Sequence, residues 1–154
     1  MSQQVEERIR TAGRDDAEGW LFLRQRLWPA ATEEQQRAEI ERQLRDPEHH
    51  GALLAARADG WLVGLVELSV RPRAKGCELS PVVYVEGWYV EPETRRRGLG
   101  RALLRAAEHW ATQRGCQAMA ADCRIDNRVG LLAHFGAGFE EVERVVLLRR
   151  SLGA

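Results

Sequence analysis

Val82 to Val90 is a run of nine residues rich in β-branched and aromatic side chains, and it leads through Glu91-Pro92 into Arg95-Arg96-Arg97-Gly98-Leu99-Gly100. The run reads as a long strand. Behind the glycines, Leu103, Leu104, Ala107 and Trp110 recur at helical spacing, which predicts a helix over 99–114 that Gly115 stops. A strand joined to a helix by so short a turn brings the helix back onto the sheet that holds the strand. The chain is therefore expected to be α/β (α+β).

The turn itself points to a polyanion. Gly98 and Gly100 lack a Cβ, so backbone N–H groups can converge on one small space. The start of the following helix adds partial positive charge, and three arginines stand beside it. A pyrophosphate fits this chemistry. The P-loop pattern is excluded because no Gly-Lys-Ser/Thr follows, and no GxGxxG lies near the first strand, as a dinucleotide fold requires.

The rest of the chain alternates between the two periodicities. Ile9 marks a short first strand. Asp15 and Asp16 are expected to cap an apolar-periodic stretch, Trp20, Leu21, Leu23, Leu27 and Trp28, which Pro29 ends. Thr32 opens a mostly exposed helix with Ile40 and Leu44 on its apolar side. Leu53 to Ala56 and Trp61 to Val70 read as strands joined at the hairpin signal Asp59-Gly60, and 71–80 reads as a loop. Gln117 to Cys123 is an expected short strand, Asn127 to Phe135 a helix, and Glu140 to Arg150 a last strand or strand pair. This order suggests one central sheet flanked by helices.

Length and composition bound the function. A chain of 154 residues is expected to form one domain, 1–154. The 23 basic and 23 acidic residues balance, which argues against a nucleic-acid binder and leaves room for a local acidic cleft. No apolar run is long enough for a membrane span, and Met1 to Arg10 has no signal-peptide core, so no membrane association and a cytoplasmic location are expected. Cys77, Cys116 and Cys123 form no CxxC pair, and His49-His50 have no partner at ligand spacing. Reduced thiols and no metal are expected.

The turn R-x-x-G-x-G, the preceding Tyr89-Val90-x-Pro92 and the later Asn127 and Gly138-Phe139 together resemble the GNAT N-acetyltransferase superfamily, in element order over nearly the whole chain. Leu27-Trp28, Ser80-Pro81, Glu86-Gly87, Asp122 before Asp126-Asn127, and His134 before Gly138-Phe139 look like the aminoglycoside 6′-N-acetyltransferases in particular. The superfamily commonly has Tyr where His134 stands. One departure is the loop after the third strand: those enzymes often carry a Tyr there, and this chain reads Arg71-Pro72-Arg73-Ala74-Lys75. Positive charge there would oppose a polycation if it pointed inward.

The resemblance implies a GNAT fold with a mixed, mostly antiparallel sheet. It implies acetyl-CoA as co-substrate, direct transfer to the 6′-amino group of an aminoglycoside, antibiotic resistance, and a homodimer for which the apolar Val145 to Leu148 offers a surface. It assigns Tyr89, Val90, Arg95, Arg96, Arg97, Gly98, Leu99, Gly100 and Asn127 to acetyl-CoA, with the Val90 N–H left free by a splayed strand for the thioester oxygen. Glu86, Asp122 and His134 become candidate catalytic residues. Trp28, Glu86, Asp122 and Glu143 become candidate substrate contacts.

Each assignment has a structural counterpart. A carboxylate within a strand as apolar as that of Glu86 is costly unless paired, so it either meets the substrate amine or an internal salt-bridge partner. Asp122, at a strand's C-terminal end, is a substrate ligand or a helix-entry cap, the latter a role that suits Asp126 better. Trp28 is a sugar wall or a core aromatic, whereas Trp88 and Trp110 read as core. Asn127 can cap a helix, Glu143 can face solvent, and His134 either faces the thiolate or is a satisfied helix histidine. Cys123 beside Asp122 is a poor nucleophile. Two other functions stay open: acetylation of another amine, such as a polyamine or a protein N-terminus, and acyl-CoA sensing without turnover.

Overall fold

Five strands form one sheet in chain order in the computed structural model, which describes residues 7–153. They are β1 (Arg8–Thr11), β2 (His50–Ala56), β3 (Leu62–Arg71), β4 (Val82–Val90) and β5 (Ala118–Ala121). Residues 1–6 of the polar N-terminal stretch lie outside the described residues. β1 to β4 pair antiparallel, and β5 pairs parallel to β4 because the long helix α3 (Leu99–Thr112) crosses over between them. The sheet is thus mixed and mostly antiparallel, as expected.

Helices cover both faces. α1 (Ala17–Leu27) and α2 (Glu33–Arg45) close one apolar cluster with Leu54 and Leu65 of the sheet. α3 closes the other with Leu53, Val66, Leu68, Val83 and Val85, and Leu103 and Ala107 are fully buried there. The fourth helix, α4 (Arg128–Gly136), joins this second side through Arg101, whose Nη2 donates to the Gly136 carbonyl at 2.8 Å.

Local capping chemistry explains the helix starts and revises two of them. Thr32 and Gln35 form a reciprocal box: Thr32 Oγ1 accepts from Gln35 N at 3.1 Å, and Gln35 Oε1 accepts from Thr32 N at 2.9 Å. Asp16 occupies the N-cap position of α1 without capping it, because its carboxylate accepts from Gly13 N at 2.8 Å and pairs with Arg10 at 2.7 Å. Asn127, not Asp126, caps α4: its Oδ1 accepts from Gly130 N at 2.9 Å, while Asp126 pairs with Arg124 at 3.1 Å.

Beneath the sheet's helical cover lies a polar knot. Arg24 of α1 forms an ion pair with Glu67 of β3, and their side chains are only 8% and 3% exposed. Trp20 Nε1 donates to Glu67 at 2.7 Å, and Gln36 Oε1 accepts from Arg24 Nε at 3.0 Å. Every charge here has a partner, as burial demands.

The expected last strand over 140–150 does not form. Among the described residues, 140–153 contain no helix or strand and make no backbone hydrogen bond to the rest of the chain. Val142 lies against Gly76 of the β3–β4 loop, but Leu147 and Leu148 are about 90% exposed. A strand needs a paired neighbour, and this segment has none among the described residues.

Candidate active site

β4 bulges at Glu86. Against β3, Gly87 pairs with Glu67 and Val85 with Leu68, so Glu86 is an extra residue with no partner of its own. Glu86 and Gly87 consequently share the α1–α2 face, where a Cβ on Gly87 would lie 2.5 Å from the Trp28 ring. Trp88 and Val90 turn to the α3 face. Unbroken alternation would have set Trp88 and Val90 on the side of Glu86.

Around Glu86 lies a cleft of about 710 Å³ between α1, α2 and the sheet. Half-buried Trp28 forms one wall, with the Arg24 guanidinium 4.5 Å from its ring centre. Glu86 Oε1 accepts from Ser69 Oγ and Arg71 Nη2, both at 2.5 Å. Glu39 and Arg42 of α2 pair with each other at the cleft, and Arg42 Nη1 stands 3.0 Å from His50 Nε2. Burial, and then the Arg42 guanidinium, lower the His50 pKa, so the ring is neutral and accepts this contact.

The lining is not the acidic surface expected for a polycation. Arg24, Arg42 and Arg71 stand against Glu67, Glu39 and Glu86, three charges of each sign. Half-buried carboxylates find partners within the chain because leaving them bare costs solvation.

Asp122 follows β5 and reaches this same side. The Tyr84 hydroxyl donates to its carboxylate. Burial and then that hydrogen bond push the Tyr84 pKa up, so the phenol keeps its proton. The Arg71 guanidinium stacks 3.6 Å from the Tyr84 ring centre. Glu86 and Asp122 therefore belong to one network, linked through Arg71 and Tyr84.

A gap opens beside them. β5 ends at Ala121, opposite Val85, while β4 runs on to Val90. Glu91 N donates to Val63 O at 2.8 Å, which puts Val90 and Trp88 at the positions whose backbone groups point away from β3. Their N–H groups face the gap. Val90 O also faces it and accepts from Arg95 Nε at 2.7 Å.

The turn at the end of the gap uses its two glycines differently. Gly98 caps α3 at φ 82°, a left-handed conformation, and no atom stands within 4 Å of where its Cβ would be. Gly100 makes room for a neighbour: its Cβ would lie 3.1 Å from the Trp88 ring, and its carbonyl accepts from Trp88 Nε1 at 3.1 Å. Trp88 is therefore a half-buried spacer rather than plain core, whereas Trp110 is buried. Arg95 folds back onto Val90, so Arg96 and Arg97 remain as exposed cations without an ion pair among the described residues. Leu99 buries its side chain in the core, leaving its backbone to the turn. Tyr89 faces the α1–α2 side, its hydroxyl donating to Glu91 at 3.2 Å. Open backbone and two free guanidiniums fit a pyrophosphate.

His134 lies across the strand from Glu86. Its ring meets Trp88 and Phe139 edge-on, each at 5.3 Å. Nδ1 stands 2.7 Å from the Gly130 carbonyl, which only accepts, so Nδ1 carries a proton and donates it there. Glu143 is not brought to the cleft: it lies on the C-terminal segment, 3.4 Å from Lys75. The Cys123 thiol is pushed up by burial, then by Asp122 and Asp126, which disfavours a thiolate nucleophile. Among the described residues no metal-sized cluster of His, Cys, Asp or Glu occurs, and no helix is long and apolar enough to cross a membrane.

Sequence reasoning missed Ser69 and Tyr84 as site residues and named Arg71 only as part of a basic loop, the one side chain of it that lines the cleft. Period-two alternation could have found them, since Glu67, Ser69 and Arg71 share one face of β3, as Tyr84 and Glu86 share one of β4.

Known proteins with this arrangement are numerous. The model of the acetyltransferase (GNAT) family matches residues 20–136. Aminoglycoside N(6′)-acetyltransferase type 1 of Klebsiella aerogenes is 41% identical over 146 residues, covering 94% of this chain and 96% of that protein. The structure of AAC(6′)-Iy with the bisubstrate analogue CoA-S-monomethyl-acetylneamine superposes at a TM-score of 0.89 and 35% identity, over 96% of this chain and 99% of that one. AAC(6′)-Iy in complex with CoA gives 0.91 and 34%, over 97% and 98%.

Proposed function

The chain belongs to the acetyltransferase (GNAT) family, and from that premise we propose an aminoglycoside 6′-N-acetyltransferase that uses acetyl-CoA and confers antibiotic resistance. One observation carries the reading: the open edge of β4 begins beside the linked carboxylates Glu86 and Asp122. A thioester carbonyl in that gap would lie between an N–H donor and groups suited to an ammonium ion.

The thioester supplies the acetyl group and a thiolate leaving group. Backbone N–H groups around Gly98 to Gly100, with Arg96 and Arg97, hold the pyrophosphate, and Asn127 holds the pantetheine arm. The Val90 N–H donates to the thioester oxygen as negative charge grows there. Glu86 and Asp122 bind the cationic amine, whose proton must leave before attack, and pass it to water. Trp28 walls the sugar. His134 hydrogen-bonds near the sulfur, and water returns the proton to the thiolate.

We also infer a single domain over 1–154, a cytoplasmic location and a homodimer. The dimer is supported by exposed Val145, Val146, Leu147 and Leu148, by exposed Val129 and Leu132 on α4, and by the outer edge of β5, which pairs with no strand among the described residues. A second copy would cover these apolar groups.

The test is CoA release by the purified protein with kanamycin, tobramycin and spermidine as acceptors. Release with the aminoglycosides, and a product acetylated at the 6′-amine by NMR, is the expected result. Turnover of spermidine alone would replace the substrate, and acetyl-CoA binding without any turnover would leave a sensor.

A further inference from the structure

Arg71 ends β3 on the cleft face, two residues beyond Ser69. Its Nη2 donates to Glu86 at 2.5 Å, and its Nε is 3.4 Å from Ser69 Oγ. Its Cζ lies over the Tyr84 ring, 3.6 Å from the centre. It thus takes up Oε1 of Glu86 and offsets the charge that a substrate ammonium would meet, while Oε2 carries no hydrogen bond within the described residues. We propose that Arg71 is a specificity-determining residue: an internal cation that holds Glu86 in the free enzyme and competes with an incoming ammonium group for its charge. The inference rests on the reading of Glu86 as an acceptor-site carboxylate.

Three features separate this pair from the others in the cleft. Arg71 and Glu86 are 42% and 36% exposed, whereas Arg24 and Glu67 are 8% and 3% exposed and cannot part without leaving buried charge. The Arg71 head has solvent to move into, because the chain leaves the sheet at this residue. Ser69 keeps its own hydrogen bond to Glu86, so the carboxylate stays oriented when the guanidinium leaves. Arg42, the other exposed cation, is held to Glu39 within α2 and touches His50.

The electrostatics give the direction of the effect. The three arginines lining the cleft offset its three glutamates, and Glu86 already shares its charge with Arg71. An incoming ammonium at Glu86 therefore gains less than it would at a carboxylate without a cation partner. Removing the competitor should tighten acceptor binding and leave the acetyl-CoA site alone.

Arg71→Ala is expected to lower the KM for kanamycin about fivefold, with the KM for acetyl-CoA unchanged. Arg71→Gln should behave alike if the alanine variant fails to fold. Arg71→Lys, which keeps a competing cation, should show less than half of the gain. In a Glu86→Gln background Arg71→Ala should give no gain at all. A raised KM in Arg71→Ala and Arg71→Gln would overturn the inference by making Arg71 a substrate ligand or a support for Glu86. The same gain with Glu86→Gln would overturn it by showing general repulsion instead of competition at one carboxylate. A wild type inert toward every aminoglycoside would sink the functional reading and this inference together, whereas an active wild type with either result above sinks the inference alone.

Discussion

The Trp88 indole donates to the Gly100 carbonyl at 3.1 Å, which ties the open edge of β4 to the first turn of α3. The same ring meets His134 of α4 edge-on. One side chain therefore spaces three parts of the proposed acetyl-CoA site: the gap, the turn and the helix across from it. Its position depends on the bulge at Glu86, which turns Trp88 to this face.

Trp88→Phe keeps an aromatic ring and loses the hydrogen bond. Acetyl-CoA affinity should fall about twofold to tenfold, the worth of one neutral hydrogen bond of ~0.5–1.5 kcal/mol. Gly100→Val, which pushes on the ring directly, should weaken binding more. Titration calorimetry with acetyl-CoA measures both, and normal binding by Gly100→Val would mean that the turn is not the cofactor cradle.

Glu86→Gln and Asp122→Asn keep shape and lose charge. Each should lower kcat/KM for kanamycin about tenfold or more, since charge-assisted hydrogen bonds contribute roughly 1.5–3 kcal/mol. The KM for acetyl-CoA should stay near the wild-type value. Wild-type efficiency in both variants would remove these carboxylates from the acceptor site.

Glu67→Gln should cost about 3–5 kcal/mol of stability, because it strands the Arg24 guanidinium in a buried setting. The double variant Arg24→Met with Glu67→Leu removes both charges and should recover much of that loss. Urea denaturation followed by circular dichroism compares them.

His50 gives the pH dependence a sign. Burial and Arg42 hold its folded pKa below the ordinary 6.5, so the unfolded chain takes up the proton first as pH falls. Stability should be full above about 6.5 and decline as pH drops from there toward the folded value. His50→Gln should flatten this part of the stability curve, and thermal melts between pH 5 and pH 7.5 would show it, with an unchanged slope counting against the assignment.

The homodimer has its own test. Light scattering should give a mass of about two chains for the wild type, and Val146→Glu with Leu147→Glu should yield monomer, because carboxylates cannot be buried unpaired at an apolar contact. A wild type that is monomeric at micromolar concentration would contradict the proposal.

Sequence alone determined the elements whose causes are local. β4, the basic glycine turn and α3 follow from side-chain pattern, backbone freedom and helical spacing among neighbouring residues, and so does the Thr32–Gln35 cap. The resemblance carried by those residues also pointed to the family. Tertiary structure decided which charges meet. Arg71 reads as the start of a solvated loop until the β3–β4 pairing sets it on Glu86, and Tyr84 finds Asp122 only because β5 lies parallel to β4. The bulge at Glu86 has no single-residue signature, because it is a mismatch between two strands. The segment after Phe139, with its run Val145 to Leu148, reads as a strand yet pairs with no strand among the described residues: a strand is a relation between two backbones, and the residues of one supply only half of it.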